Sequence, residues 1–154
     1  MARILIADDD ELIAEIASET LIDAGHASGW VTSGEKAWEL LIRHKRPDLL
    51  LLDQDMPGIS GISLLRKLRG SPKFYDLPII MFTAMKGEED ENQAIFAGAQ
   101  DFIRKPFDAR ILVTRVTRVL SNRVGRPKHT ELQTVMAREA GMICDEPRSG
   151  WRFL

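Results

Sequence analysis

A chain of 154 residues, 44% apolar and 29% charged with a net charge of -2, can bury a single sizeable core and needs no disulfide or structural metal to do so. Its one cysteine, Cys144, excludes an internal disulfide and a thiolate metal site and fits a reducing compartment. No run approaches the roughly 20 apolar residues of a membrane helix, and no basic start with an apolar segment behind it opens the chain, so a soluble, cytoplasmic protein with no membrane partner is expected.

The first element is the apolar run Ile4-Leu5-Ile6-Ala7, a buried strand by length and composition, which ends on Asp8-Asp9. A helix follows: Leu12, Ile16, Thr20 and Ala24 fall on one stripe, Asp10 is placed to cap its start and Gly25 stops it. The piece around Trp30 is a second strand, and it alone ends without a group that phosphoryl chemistry can use. Ser33 caps a second helix carrying Ala37, Leu40, Leu41 and His44, closed by the pre-proline Arg46. Leu49 to Leu52 is a third strand running into Asp53, with a helix from about Ile59 to Arg69 that ends at Gly70. Ile79 to Phe82 leads to Thr83 and then to a helix over roughly Glu88 to Ala97 before Gly98. Phe102-Ile103 leads to Lys105-Pro106, and a fifth helix starts after Asp108 and carries Ile111, Leu112, Val116 and Val119 to Leu120.

Five β-α units with right-handed crossovers predict an α/β fold, a flavodoxin-like doubly wound parallel sheet in the order 2-1-3-4-5. Its ligand crevice opens at the carboxyl ends of the first and third strands, which places Asp8 and Asp9 beside Asp53. Three carboxylates forced together repel, so unless one is protonated the crevice needs a cation. Asp9 and Asp53 with a backbone carbonyl and waters suit an octahedral Mg²⁺. With charge neutralised, the Asp53 carboxylate can attack phosphorus, and Lys105 and Thr83 are available to hold the other oxygens.

The stretch ILIADDDE, the run LLLLDQDMPGISG, the pair Thr83-Ala84 and the ending GAQDFIRKPF together resemble the receiver domain of bacterial two-component response regulators, over residues 1 to 121. The resemblance implies that Asp53 is the phosphoacceptor and Asp8 and Asp9 the acidic metal pair, with Mg²⁺ held also by Asp53 and by the backbone carbonyl of Asp55. It implies further that Thr83 binds the phosphoryl group, Lys105 pairs with it, Phe102 swings inward with Thr83, and the Lys105-Pro106 bond is cis. A sensor histidine kinase or histidine phosphotransferase would supply the phosphoryl group. The surface of the fourth helix, fifth strand and fifth helix would signal to a downstream protein, in a phosphoacceptor that is not an enzyme in the ordinary sense. Three residues depart from the commonest pattern: Phe102 stands where Tyr is also frequent, Ser60 where an acid is frequent, and Asp55 brings an acid two residues past the nucleophile.

A different class also fits one motif, since Asp53-Gln54-Asp55 reads as the DxD of a haloacid-dehalogenase-like phosphatase. Chain order argues against it, because that family tends to begin with its DxD, whereas Asp8-Asp9 comes first here.

Residues 122–154 are expected to form a linker and C-terminal extension, with the linker opening at Ser121 and running to Pro127. Thr130-x-x-Gln133 matches a capping box for a short helix bearing Leu132, Val135, Met136 and Ala140, and Met142 to Leu154 fits a hairpin. The extension is read as packing on the receiver or on a second protomer, which makes a homodimer a candidate. The runner-up is a truncated winged-helix-like DNA-binding output, from the ending DEPRSGWRFL and the AT-hook-like Gly125-Arg126-Pro127. Six Lys+Arg against four Asp+Glu in this segment are too small a surplus to argue for a nucleic-acid partner. Trp30, Trp38 and Trp151 are read as packing residues, and His26, His44 and His129 as too dispersed for a metal cluster.

Overall fold

The structure, a computed structural model, describes residues 1–84 and 88–124, with the backbone alone for 88–91, 123 and 124. Strands β1 (Arg3–Ala7), β2 (Ala27–Val31), β3 (Leu49–Leu52), β4 (Ile79–Thr83) and β5 (Asp101–Arg104) alternate with helices α1 (Glu11–Asp23), α2 (Gly34–Arg43), α3 (Gly61–Arg69), α4 (Glu88–Phe96) and α5 (Ala109–Val124). All strand pairs are parallel, in the order β2-β1-β3-β4-β5, as the sequence predicts.

The central strands β3 and β4 are buried at every residue because helices cover both faces of the sheet, so they read as continuous apolar runs and not as alternating ones. The period of two still decides which side each residue serves. Leu5, Leu50, Leu52, Ile79 and Met81 pack with Ala37 and Leu41 of α2 and with Leu65 and Leu68 of α3. Ile4, Ile6, Leu49, Leu51, Ile80 and Phe82 face the other way, against Ala14, Ala17 and Leu21 of α1 and Leu112 and Val116 of α5.

The helix starts follow their caps. The Asp10 carboxylate accepts the Leu12 and Ile13 N–H groups, Ser33 Oγ accepts Lys36 N–H and Ser60 Oγ accepts Ser63 N–H. The cap at Ser60 makes α3 begin at Gly61, two residues after the predicted start.

Two sequence expectations are corrected. The face α1 buries is Ala14, Ala17, Ser18 and Leu21, whereas Leu12 and Ile16 of the predicted stripe are 64% and 43% exposed. A helical repeat identifies a helix, but several stripes can carry it; small side chains let α1 come close to the sheet and to α5, and that closeness selected the buried one. Helix α5 continues through Ser121 to Val124, because the chain has no Gly or Pro between Ala109 and Gly125.

Trp30 and Trp38 are half-buried packing residues on opposite sides of the sheet, Trp38 meeting Phe74 edge-on at 6.0 Å. Among the described residues, no helix is long and apolar enough to cross a membrane. The expected helix of residues 130–140, the hairpin of 142–154, Gly125-Arg126-Pro127, His129, Cys144 and Trp151 lie outside the described residues.

Candidate functional site

Because β1 and β3 are neighbours with Ala7 opposite Leu52, the residues just past their ends are side by side, and Asp53 N–H donates to the Ala7 carbonyl at 2.9 Å. Asp8, Asp9 and Asp53 each present a carboxylate oxygen there, all within 4.8 Å of one another. Asp8 and Asp53 are buried and Asp9 is exposed, so the cluster opens to solvent on one side.

Lys105, past the end of β5, reaches across the strand ends. Its ammonium donates to Asp8 Oδ2 at 2.5 Å and stands 3.6 Å from Asp53 Oδ2, while the other Asp8 oxygen accepts Asp10 N–H at 2.9 Å. The main chain of Lys105 is anchored by its N–H to the Thr83 carbonyl at 3.0 Å, and the Lys105-Pro106 bond is cis, as the resemblance implies. Thr83, the last residue of β4, is fully buried and its Oγ1 makes no well-formed hydrogen bond. At the rim of the acidic crevice, close to the Asp53 carboxylate, this hydroxyl has the placement of a group that can donate to a ligand there.

Burial is the largest cause raising the Asp53 carboxyl to about 6, and the negative charge of Asp8 adds to it. The Lys105 ammonium, the nearby Thr83 hydroxyl and the Asp55 backbone N–H all pull it back. One ammonium against three carboxylates leaves a surplus of negative charge. Hard oxygen donors open to water on one side fit a Mg²⁺ ion, which takes few protein carboxylates and keeps several waters.

Phe102 lies in the middle of β5 opposite Met81, buried on the same side as Ala94 of α4 and Ala99. The resemblance implies a ring that swings inward; in this structure it is already inward. Beside it, Asp101 accepts from Arg115 at 2.8 Å and from Arg118 at 2.5 Å, tying β5 to α5. Asp55 is exposed, two residues beyond Asp53.

Two residues that support the site went unread in the sequence. A Cβ on Gly61 would stand 2.2 Å from the Asp53 carbonyl oxygen, so only glycine lets α3 begin directly behind Asp53. Gln54 Oε1 accepts Ile62 N–H at 2.7 Å and pins the residue after Asp53 to the first turn of that helix. The Gly in PGISG was the available signal for the first; nothing local marks the second.

The response regulator receiver domain family matches residues 4–117. The phosphate regulon transcriptional regulatory protein PhoB of Pseudomonas aeruginosa is 44% identical over 118 residues, 76% of this chain and 51% of its own length. The transcriptional regulatory protein BaeR of Escherichia coli is 36% identical over 152 residues, 97% of this chain and 60% of its own length. A crystal structure of a putative response regulator from Chloroflexus aurantiacus superposes with a TM-score of 0.74 at 36% identity, over 78% of this chain and 98% of that one. The chain thus spans about half the length of the curated relatives it matches, at 51%, 56% and 52%, and nearly all of a solved receiver. With the sheet order, the three clustered aspartates and a family match over most of its length, the chain belongs to the response regulator receiver domain family.

Proposed function

We propose that this chain is a phosphoacceptor in a two-component phosphorelay, taking a phosphoryl group on Asp53 from a sensor histidine kinase or histidine phosphotransferase. The observation that carries the reading is the convergence of Asp8, Asp9 and Asp53 with the Lys105 ammonium and the buried Thr83 hydroxyl at one end of the sheet. Asp8, Asp9, Asp53 and the backbone carbonyl of Asp55 would hold Mg²⁺, which when bound offsets the charge of the phosphoryl oxygens.

In the transfer step an Asp53 carboxylate oxygen bonds to phosphorus while the bond from phosphorus to the donor's imidazole nitrogen breaks. The imidazole, protonated on its other ring nitrogen, leaves neutral, and Asp53 becomes an acyl phosphate. Lys105 exchanges part of its contact with Asp8 for a phosphoryl oxygen, and the Thr83 hydroxyl donates to another. Later attack of water on phosphorus returns the Asp53 carboxylate and inorganic phosphate. This is self-dephosphorylation of a phosphoprotein and not turnover of a diffusible substrate.

Drawing Thr83 onto the phosphoryl group changes the packing around Phe102 and so the face made by α4, β5 and α5, a local charge event biasing a two-state element. That face already presents apolar groups to a partner protein, with Phe96 92% exposed and Ile95 and Ile111 about half exposed.

Incubation with acetyl phosphate and Mg²⁺ tests the reading. Wild-type chain should take up acid-labile, hydroxylamine-sensitive label, and Asp53→Asn should take up none; full labelling of that variant would sink the assignment. A second reading, DNA-directed output, is favoured by one observation: the match to the transcriptional regulatory protein BaeR covers 97% of this chain and so extends past residue 121. A salt-dependent shift of duplex DNA by the full chain would support it.

A further inference from the structure

The loop from Asp53 to Ser60 carries the phosphoacceptor at one end and is pinned in two places. At its near end α3 holds it: Met56 and Gly61 N–H donate to the Gln54 carbonyl at 3.1 and 3.0 Å, and Ile62 N–H donates to Gln54 Oε1. At its far end the first turn of α2 holds it through Glu35, whose Oε1 accepts Ile59 N–H at 3.0 Å across 24 residues of sequence.

Two glycines lie at this second contact. Gly58 has φ of +80°, which favours glycine, and the exposed Glu35 carboxylate lies 2.1 Å from where its Cβ would stand. A Cβ on Gly34 would stand 3.0 Å from the Ile59 carbonyl oxygen, so the start of α2 lies directly on the loop. A glutamate in a first turn ordinarily serves its own helix, by the dipole or by capping. Glu35 instead spends a charge-assisted bond on another element.

Between the two pins is Asp55, exposed and two residues past Asp53. We infer that Glu35 is a positioning residue: by holding Gly58 and Ile59 against α2 it fixes the main chain of Asp55 relative to Asp53. The consequence for phosphorylation rests on the phosphoacceptor reading of Asp53; the placement of Asp55 does not.

The test compares full-length Glu35→Ala and Glu35→Gln with wild type and with Glu39→Ala, a control on the same helix that removes only a surface pair with Arg43 at 3.2 Å. In Glu35→Ala the Ile59 and Asp55 amides should shift and exchange about tenfold faster, while the rest of the spectrum and the melting temperature stay close to wild type. With acetyl phosphate as donor, half-maximal labelling should need roughly three- to tenfold more Mg²⁺, the size of effect expected from one lost hydrogen bond, with the rate at saturating Mg²⁺ within about twofold. A glutamine amide oxygen can accept the same N–H, so Glu35→Gln should restore both readouts, and Glu39→Ala should alter neither. The proposal is overturned if Ile59 loosens while the Asp55 amide and the Mg²⁺ dependence stay as in wild type, or if Glu35→Gln behaves like Glu35→Ala. Should wild type itself take no label, the phosphoacceptor reading fails, and the Ile59 and Asp55 amides still decide the role of Glu35.

Discussion

Asp53 is held in a charge environment that works against the folded state. Its folded carboxyl is raised to about 6 from 3.8, so between those values the native chain binds a proton that the unfolded chain gives up. The stabilisation from that proton is complete below about 3.8 and is lost as pH rises through about 6. At pH 7 the ionised group is a cost of roughly 1–3 kcal/mol, since each pKa unit is worth about 1.4 kcal/mol. Asp53→Asn removes the charge and nearly keeps the shape, so without Mg²⁺ it should melt higher than wild type at pH 7, with the gain vanishing near pH 4. Saturating Mg²⁺ should raise wild type toward the variant. Melts across this range check it, and a variant no more stable at pH 7 would show that Lys105 already balances the site. His26 acts in the opposite sense: its Nδ1 accepts Ala2 N–H at 3.1 Å, and burial first and the N-terminal amine second hold it below 6.5. Its neutral form is needed in the fold, so stability falls as pH drops through 6.5, and only the difference between wild type and Asp53→Asn isolates the aspartate.

In the proposed function, element ends carry the chemistry and element faces carry the signal. Thr83 terminates β4 and Phe102 sits in β5 two register steps away, with Met81 opposite Phe102 and Thr83 opposite Arg104. Thr83→Ala removes the hydroxyl without touching Asp53, so the variant should still accept a phosphoryl group yet fail to repack α4, β5 and α5. Beryllofluoride, a phosphoryl mimic, should then shift the amides of 92–118 in wild type and far less in the variant; identical shifts in both would count against Thr83 as the link. The strands were legible because buried parallel strands are nearly pure apolar runs, and their terminal residues gave the site. The buried face of α1 was not, because Leu12 and Ile16 satisfy the helical repeat as well as Ala14, Ala17 and Leu21 do, and only contact with the sheet separates them.

At the scale of the whole chain, the aspartates, Thr83 and Lys105 all fall within residues 8–105, and the solved Chloroflexus chain is matched over 98% of its length by 78% of this one. Removing residues 126–154 should therefore leave labelling of Asp53 intact. The same residues include Leu132, Val135, Met136, Trp151, Phe153 and Leu154, which are costly to leave in water, so we propose that they bury an apolar face on their own receiver or on a second copy. Their deletion should then lower the melting temperature or dissociate a dimer, read by calorimetry and light scattering. Unchanged melting and size would refute that role.

Short-range pattern and the handedness of crossovers were enough for the β-α alternation and the doubly wound sheet, and the motifs at the strand ends for the order 2-1-3-4-5 and the convergence of Asp8, Asp9, Asp53, Thr83 and Lys105. Only the packing of elements settled which stripe of α1 is buried, that α3 starts at Gly61 directly behind Asp53, and that Glu35 of α2 bonds Ile59 in the loop before α3. Those depend on how closely two backbones approach, and closeness has no period in the sequence to read. The raised proton affinity of Asp53 belongs with them, since burial and the distance to Asp8 and Lys105 set it and neither exists until the strands are paired.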